Sequence, residues 1–341
     1  MQALVLAGGQ GTRLQPLTLS VPKPVMPLAG RPFLTFMLDW LSSHGIDDVV
    51  LSCGFLSEEV QRVLGARHRS MRLRYVEEES PLGTAGPVRL AADLGFLGDR
   101  FLVLNGDVLT DMDLTSQVAF HDANHAAATL ALIAVEDTAS YGVVPTDARG
   151  RVEAFLEKSP GPAPTNRINA GAYVLEREVV ERIEPGVAVS FERDVFPQLV
   201  GDGLYGYMAD GYWMDIGTPD RYMEATYDLL AGTVTSALPQ RDRTGSLVPD
   251  CCDTSGARIG PWSVLGERCR VGAESLVLRA VLHDGVEVGE AAVIRRSVLG
   301  AGVSVGEGAR IEEGAMIGSG AVIRPGQVVE AEARVAPGAL V

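Results

Sequence analysis

The segment Leu6-Ala-Gly-Gly-Gln-Gly-Thr-Arg-Leu-Gln-Pro-Leu-Thr18 closes the apolar run Ala3–Ala7 and places three glycines directly behind a predicted strand. Because glycine has no Cβ, it can adopt positive φ and let backbone N–H groups approach phosphate oxygens. The glycine spacing fits neither a Walker A loop nor a dinucleotide-binding fingerprint. The segment therefore predicts a phosphate-binding turn of another kind at the end of the first strand.

Two cations strengthen the phosphate interpretation of this turn. Arg13 offers a forked guanidinium and Lys23, between Pro22 and Pro24, offers a point charge. These are the two kinds of group that clamp a polyphosphate. A glycine-rich turn that only packs closely is the alternative, and it would not require either cation.

Downstream of this turn, short aliphatic runs alternate with amphipathic helical patterns. The predicted strands are Ala3–Ala7, Val49–Ser52, Leu73–Val76, Phe101–Leu104 and Ala128–Val135, and the predicted helices include Pro32–His44, Glu58–Leu64 and Thr84–Leu94. This alternation predicts an α/β fold with a largely parallel sheet, whose ligands bind at the carboxyl ends of the strands.

The last part of the chain carries a hexapeptide period. The aliphatic positions are Ile259, Leu265, Val271, Val277, Leu282, Val288, Ile294, Leu299, Val305, Ile311, Ile317, Ile323, Val329 and Val335. Two five-residue steps, after Val277 and after Ile294, interrupt the period. A hexapeptide period predicts a parallel β-helix. We expect three regions: a catalytic domain at 1–232, a linker at 233–250 and a β-helix domain at 251–341.

Composition narrows the possible partners and location. The net charge of −15 argues against binding nucleic acid or an anionic membrane. The four cysteines fit neither a zinc site nor a disulfide framework, so we expect reduced thiols in the cytoplasm. The chain has no apolar run long enough to cross a bilayer, and its first residues do not resemble a signal peptide.

The glycine turn with Arg13 and Lys23 resembles the signature of the sugar-1-phosphate nucleotidyltransferases, and the resemblance extends over nearly the whole chain. It implies a Rossmann-like nucleotide-diphospho-sugar transferase domain followed by a left-handed hexapeptide β-helix. The nucleotide-binding residues that it implies are Leu6, Ala7, Gly8, Gly9, Gly11, Thr12, Arg13, Lys23, Glu78, Gly83, Thr84 and Gly106.

Two aspartates are the candidate metal ligands. Asp107 ends the motif Leu104-Asn-Gly-Asp107 behind a strongly apolar run, and Asp215 lies within Gly211-Tyr-Trp-Met-Asp-Ile-Gly217. Mg²⁺ is usually bound by one or two carboxylates together with substrate phosphates. A lone aspartate more often caps a helix or turn, but the resemblance implies that both positions bind the metal. Arg13, Lys23, Asp107 and Asp215 are the predicted catalytic residues.

Short polar stretches that interrupt apolar segments are the candidates for binding the sugar. The resemblance implies that Gly142, Glu157 and Asn169 contact the sugar and that Lys158 contacts its phosphate. The family usually has proline after that lysine, whereas this chain has Ser159. The position of Lys158 is therefore the point where the resemblance is weakest.

Glu78 bears on which base is bound. Thymidine- and uridine-using members of the family carry glutamine at the matching position, five residues before the glycine that corresponds to Gly83. A carboxylate only accepts hydrogen bonds, and guanine offers two adjacent donors, which favours GTP. Glu78 could instead belong to an exposed acidic run. The segments around Gly83, Asn169 and Asp215 resemble mannose-1-phosphate guanylyltransferases, although guanylyltransferases for a heptose or cyclitol phosphate, and thymidylyl-, uridylyl- or adenylyltransferases for glucose 1-phosphate, remain alternatives.

The implied reaction is in-line attack of a sugar-phosphate oxygen on the α-phosphorus of the nucleoside triphosphate, with pyrophosphate as the leaving group. Acyl transfer by the β-helix is less favoured, because the repeat region contains only His283 as a candidate base. A non-catalytic regulatory paralogue is less favoured because all four predicted catalytic residues are present. Hexapeptide helices commonly pair with another copy, so we expect a homo-oligomer formed partly through residues 251–341.

Overall fold

The computed structural model describes residues 1–54, 56–157, 163–236, 238 and 241–341. The chain divides into two compact units. The sheet unit comprises Met1–Gly9 and Met37–Trp213, and the β-helix unit comprises Gln10–Phe36 and Met214–Val341. In the described residues no helix combines the length and apolarity needed to span a membrane.

The structure describes seven α-helices in these parts of the chain. They are α1 (Leu34–Ser43), α2 (Ser57–Leu64), α3 (Gly86–Asp93), α4 (Leu114–Asn124), α5 (Arg177–Glu181), α6 (Phe196–Leu199) and α7 (Pro219–Ala231). Helix α7 begins at the cap Thr218, whose side chain accepts a hydrogen bond from the backbone N–H of Arg221, and it ends at Gly232 with φ 77°. Threonine suits an N-cap and glycine suits a left-handed C-cap. Short 3₁₀ helices lie at Thr12–Leu14, Leu17–Leu19 and Lys23–Val25, and a π-helical turn lies at Phe191–Val195.

Strands β1 to β12 precede α7. They are β1 (Gln2–Leu6), β2 (Pro27–Leu28), β3 (Arg31–Pro32), β4 (Asp48–Cys53), β5 (Arg67–His68), β6 (Met71–Glu77), β7 (Arg100–Asn105), β8 (Val108–Thr110), β9 (Ala128–Ala134), β10 (Arg167–Glu176), β11 (Leu204–Met208) and β12 (Trp213–Asp215). The main sheet of the sheet unit has eight strands in the order β11-β9-β10-β7-β1-β4-β6-β5. The five predicted strands and the three predicted helices are confirmed within a few residues at each end.

The centre of this sheet is parallel, as the alternating pattern predicted. Strand β1 pairs in parallel with β4 and β7, and β4 pairs in parallel with β6. Strand β10 runs antiparallel between β7 and β9. The hydrophobic core of the sheet unit includes Leu4, Val50, Val103, Tyr173 and Phe196, all of which are buried. The carboxyl ends of β1, β4, β6 and β7 therefore meet at one edge of the sheet.

The polar stretch Asn169-Ala170-Gly171 does not end the strand in which it lies. These residues lie inside β10, where the register with β9 shifts between Asn169 and Tyr173. Gly171 has φ 73°, and a Cβ placed on it would lie 2.5 Å from Nδ2 of Asn105. Between the pairs Asn169–Leu132 and Tyr173–Leu130, β10 contains two more residues than β9. Such a bulge changes where side chains point, and the strand continues past it.

Residues 258–335 form the parallel β-helix that the hexapeptide period predicted. Its strands are β13 (Arg258–Ile259), β14 (Val264–Leu265), β15 (Arg270–Val271), β16 (Leu276–Leu278), β17 (Val281–Leu282), β18 (Glu287–Val288), β19 (Val293–Arg295), β20 (Val298–Leu299), β21 (Ser304–Val305), β22 (Arg310–Ile311), β23 (Met316–Ile317), β24 (Val322–Ile323), β25 (Val328–Val329) and β26 (Arg334–Val335). Every third strand pairs in parallel, which gives three faces: β13-β16-β19-β22-β25, β14-β17-β20-β23-β26 and β15-β18-β21-β24. The predicted aliphatic positions fill the interior.

The two interruptions of the period have a structural counterpart at one corner of the β-helix. Between β16 and β17 the corner contains only Arg279 and Ala280, and between β19 and β20 it contains only Arg296 and Ser297. We call these the two short corners. Arg279 and Arg296 both have positive φ, 52° and 33°. Later in the chain the same corner, between β22 and β23, spans residues 312–315.

One face of the β-helix is covered on its outside. Val264, Val281, Val298 and Met316 precede the interior residues of β14, β17, β20 and β23 and therefore point outward, yet each is at most 1% exposed. The outward residues Arg258, Arg310 and Val328 of another face are exposed. We call the first of these the covered face.

Candidate active site

The carboxyl ends of β1 and β7 bring the first group of predicted residues together in the sheet unit. The backbone N–H of Gly106 donates to the carbonyl of Leu6 over 2.9 Å, and the N–H of Ala7 donates to the carbonyl of Ser52 over 2.8 Å. A Cβ on Gly106 would lie 2.6 Å from the Leu6 oxygen, so only glycine allows this approach. Asp107 therefore follows β7 directly beside the start of the glycine turn.

The Glu78 carboxylate lies above the glycine turn. Its Oε1 accepts from the hydroxyl of Ser52 over 2.8 Å, and its Oε2 accepts from the backbone N–H of Leu82 over 3.1 Å. A Cβ on Gly8 would lie 3.1 Å from Oε1. Glu78 is thus not a loose member of an exposed acidic run. Because a carboxylate has about four lone-pair sites, each oxygen can accept one further hydrogen bond.

Gly83 and Thr84 occupy the loop before α3. Gly83 has φ 77°, and a Cβ on it would lie 2.4 Å from the carbonyl oxygen of Val189. The Thr84 hydroxyl donates to Glu192 over 2.8 Å and accepts from the backbone N–H of Phe191 over 2.8 Å. The side chain of Thr84 therefore bonds to residues of the protein, which favours a role for this loop through its backbone.

Gly142, Glu157 and Asn169, which were predicted to contact the sugar, lie close together. The backbone N–H of Asn169 donates to the carbonyl of Gly142 over 3.0 Å, and a Cβ on Gly142 would lie 3.2 Å from Oε2 of Glu157. Asn169 also donates from Nδ2 to the hydroxyl of Tyr173 over 2.8 Å. Lys158 lies outside the described residues.

The residues of the turn that belong to the β-helix unit form a second group. Gly11 has φ 62°, and its carbonyl accepts from the Thr18 hydroxyl over 2.8 Å. A Cβ on Gly11 would lie 3.0 Å from Cγ2 of Thr18 and 3.3 Å from Cβ of Lys23. Thr12 and Arg13 are exposed on the 3₁₀ helix that follows, whereas Lys23 is buried. The turn therefore presents one exposed cation, Arg13, and one buried cation, Lys23.

Arg13 and Asp215 approach each other over Gly217. A Cβ placed on Gly217 would lie 2.6 Å from Nη2 of Arg13 and 3.3 Å from Oδ2 of Asp215. The Asp215 carboxylate also forms an ion pair with Arg221, in the first turn of α7. The β-helix unit thus has two arginines near one carboxylate, although the whole chain is acidic.

Two residues of these groups were missed at the level of sequence. Glu192 accepts from the hydroxyls of Thr84, Ser190 and Tyr173, and so connects the loop before α3 to Asn169 on β10. Arg221 pairs with Asp215. The only local signal for Glu192 is the helix-cap residue Ser190 before it, which predicts a helix start and no contact to β10. In the sequence, Arg221 has the pattern of an ordinary surface residue on an amphipathic helix, and nothing local indicates its contact with Asp215.

Comparisons with known proteins identify the family of the chain. The family model described as nucleotidyl transferase matches residues 2–232, and the model described as GMPPB C-terminal domain matches residues 250–339. Mannose-1-phosphate guanylyltransferase of Mycobacterium tuberculosis is 42% identical over 290 residues, which cover 84% of this chain and 80% of that protein. Mannose-1-phosphate guanyltransferase of Schizosaccharomyces pombe is 35% identical over 277 residues, covering 79% of this chain and 74% of that protein.

The chain belongs to the sugar-1-phosphate nucleotidyltransferase family. Among solved structures, HddC from Yersinia pseudotuberculosis matches with a TM-score of 0.59 and 27% identity, covering 67% of this chain and 99% of that one. HddC has also been solved in complex with GMP-PN, and that structure matches with a TM-score of 0.58 and 26% identity.

The buried cysteines of this nucleotidyltransferase are not suited to act as nucleophiles, and the reaction of the family does not require one. The attacking group is a phosphate oxygen that is already anionic, so the protein need not supply a nucleophile. Burial raises the pKa of the Cys53 thiol to about 12, with smaller contributions from the charges of Glu77 and Glu78. Burial also raises the pKa of Cys269 to about 12. Both remain neutral thiols near pH 7 and are poor nucleophiles.

Gly217→Ala tests the approach of Arg13 to Asp215. The added methyl group would displace the end of a flexible side chain and no backbone, so we expect an unchanged melting temperature. Because a misplacement of about 1 Å can cost up to about a hundredfold in rate, we expect activity to fall between about tenfold and a hundredfold. In an Arg13→Ala background the same methyl group has no guanidinium to displace, and we expect little further loss. An equal loss in both backgrounds would contradict this explanation.

Proposed function

We propose that this nucleotidyltransferase transfers GMP from GTP to mannose 1-phosphate, which gives GDP-mannose and pyrophosphate. The observation that carries the choice of base is the Glu78 carboxylate, whose two oxygens lie over Gly8 and retain accepting capacity. The names of the Mycobacterium tuberculosis and Schizosaccharomyces pombe relatives support the choice of sugar. The complex of HddC with GMP-PN supports a guanine nucleotide.

Catalysis in this proposal is positioning and charge neutralisation. An oxygen of the sugar phosphate attacks the α-phosphorus, a new P–O bond forms, and the bond to the β-phosphate oxygen breaks, so that pyrophosphate leaves with its electron pair. Two anions repel each other, and oriented cations in a poorly solvated site offset that repulsion more than water does. Arg13 and Lys23 hold the triphosphate. Gly142, Glu157 and Asn169 bind the sugar hydroxyls, and we assign the sugar phosphate to Lys158.

Asp107 and Asp215 fit a divalent cation. Their carboxylate oxygens are the ligands that suit Mg²⁺ and differ from the nitrogen and sulfur ligands of zinc sites. In the part of the chain that the structure describes, no group of three or more His, Cys, Asp or Glu side chains forms a metal cage. A pair of carboxylates completed by substrate phosphates is the form in which Mg²⁺ is usually bound. When bound, Mg²⁺ would neutralise charge on the phosphates.

Asp107→Asn and Asp215→Asn should each lower the rate by at least about a hundredfold, which is the scale of losing one strong electrostatic contact. EDTA should abolish activity of the unmodified protein, and added Mg²⁺ should restore it. Asp113→Asn is the matched control, because Asp113 caps α4 by accepting from Ser116 and asparagine caps equally well. Full turnover in EDTA would exclude the proposed metal.

A panel of nucleoside triphosphates and sugar 1-phosphates, with pyrophosphate release as the signal, tests the substrates. We expect GTP with mannose 1-phosphate to give the highest kcat/KM. Glu78→Gln should lower the preference for GTP over dTTP and UTP by about tenfold or more, because a good bidentate base contact is worth roughly 1–3 kcal/mol of discrimination. The glutamine can still accept from the Leu82 N–H and donate to the Ser52 hydroxyl, so the fold should not change.

Glu77→Gln is the control for this base assignment. It removes the same charge one residue away, on a side chain that accepts from Ser57 and Gln61 and not over the glycine turn. We expect it to leave the base preference intact. If the unmodified protein already prefers dTTP or UTP, or if Glu78→Gln keeps the GTP preference, the base assignment is wrong.

We also infer that residues 1–232 form the catalytic domain, joined through residues 233–250 to a β-helix domain at 251–341 that pairs with a second copy. Aliphatic side chains near the end of the β-helix support the pairing, since Val322, Val328 and Leu340 are 40%, 39% and 61% exposed. Light scattering at micromolar concentration should give at least twice the mass of one chain. A monomer mass under these conditions would contradict the proposal.

A further inference from the structure

Three consecutive side chains of α7 contact three different parts of the β-helix unit. Asp220 accepts from Nη2 of Arg296, in a short corner, over 3.1 Å. Arg221 forms the ion pair with Asp215. Tyr222 donates from its hydroxyl to the carbonyl of Pro27 over 2.5 Å and lies 3.2 Å from Nε2 of His283. None of these contacts belongs to the substrate-binding residues described above, apart from Asp215 itself.

The direction of the hydrogen bonds at Tyr222 follows from counting protons. The phenol has one proton, and the Pro27 carbonyl can only accept, so Tyr222 donates there and accepts from the Nε2–H of His283. Burial lowers the pKa of His283 to about 4, so the imidazole is neutral and carries a single N–H. Burial likewise raises the pKa of Tyr222 above its usual value, which keeps the phenol protonated. The series of hydrogen bonds His283–Tyr222–Pro27 is therefore complete, with His283 and Tyr222 buried and Pro27 half-buried.

Pro27 anchors the segment that carries Lys23. The 3₁₀ helix Lys23–Val25 ends at Met26, whose N–H donates to the carbonyls of Pro22 and Lys23 over 3.1 and 3.2 Å. Pro27 follows at once and begins β2. Lys23 is itself buried. A displacement of the Pro27 carbonyl would therefore be passed to Lys23 through one short, hydrogen-bonded turn.

The other end of the chain of bonds is the covered face of the β-helix. His283 directly follows β17, whose outward residue Val281 is buried. The Tyr227 hydroxyl, five residues further along α7, donates to the carbonyl of Arg279 over 2.7 Å, and the Arg279 guanidinium lies 4.7 Å from the Tyr227 ring centroid. Ser20 also contacts Ser319 over 3.1 Å. Helix α7 and the segment before Lys23 thus lie against this face.

We propose that the β-helix is a platform that positions the triphosphate-clamping segment, and that Tyr222 and His283 are positioning residues that act through Lys23. The proposal rests on the proposed function for the role of Lys23. It gives the repeat domain a part in catalysis without any reacting group of its own. It also accounts for an apolar outer face on a β-helix whose other faces carry exposed residues.

Tyr222→Phe is the first test, because it keeps the buried ring and removes only the hydroxyl. We expect kcat/KM for the nucleotide to fall about tenfold, since the misplacement of a catalytic group by less than about 1 Å costs on this scale. The KM for the sugar 1-phosphate should change less than about twofold. Tyr227→Phe is the matched control: it removes a hydroxyl that bonds α7 to the β-helix but does not reach Pro27, and it should leave both parameters unchanged.

His283 offers a second, independent pair of variants. His283→Gln places an amide N–H near the position of Nε2 and should keep the nucleotide kcat/KM within about twofold. His283→Leu has similar bulk without a donor and should reproduce the loss seen in Tyr222→Phe. If glutamine and leucine behave alike, the bond from His283 does not position the segment and the proposal is overturned.

The closing experiment repeats Tyr222→Phe in a Lys23→Ala background. If Tyr222 acts through Lys23, adding Tyr222→Phe to Lys23→Ala should lower the activity by less than about a further twofold. Independent losses that multiply would overturn the proposal. Full activity of Lys23→Ala alone would instead show that the proposed function of Lys23 is wrong, and would remove the basis of this inference with it. A slow Lys23→Ala with a normal Tyr222→Phe would overturn only the positioning role.

Discussion

Successive side chains leave an α-helix about 100° apart, so three consecutive residues of α7 necessarily point toward three different surroundings. The protein uses this constraint at Asp220, Arg221 and Tyr222, which contact a corner of the β-helix, a candidate metal ligand and the base of the Lys23 turn. One turn of helix thereby fixes the relative positions of groups that lie far apart in the chain.

The division of the molecule also divides its chemistry. The β-helix unit contains Arg13, Lys23 and Arg221, and Arg13 and Arg221 lie near the Asp215 carboxylate, so cations are concentrated there although the net charge of the chain is −15. The sheet unit holds acceptors and neutral polar groups, among them Glu78 and the hydrogen-bonded series Asn169–Tyr173–Glu192. Such groups distinguish one base or hydroxyl from another by direction, because a misplaced donor or acceptor is costly when buried.

Local patterns in the sequence predicted the fold well, and long-range contacts explain what they missed. The alternation of aliphatic runs and amphipathic helices depends on neighbouring residues, so strands such as Phe101–Leu104 were found within one residue of Arg100–Asn105. The hexapeptide period likewise identified the interior of the β-helix. It could not show that Val281 and Val298 are buried on the outer side, because that depends on α7, which lies elsewhere in the chain. The pairing of Tyr222 with Pro27 spans 195 residues and has no local signal.

The two short corners have a consequence for exchanging β-helix domains between related proteins. Because these corners are shorter, β14, β17 and β20 pair at intervals of 17 residues, Val264 with Val281 and Val281 with Val298. Later in the β-helix the paired residues Met316 and Arg334 are 18 residues apart. Restoring a full-length corner would change where Arg279 and Arg296 project, while leaving the aliphatic interior unaffected. A repeat domain transplanted from a relative could therefore fold normally and still fail to dock. In such a chimera the length of these corners would affect the contacts of Arg279 and Arg296 with α7.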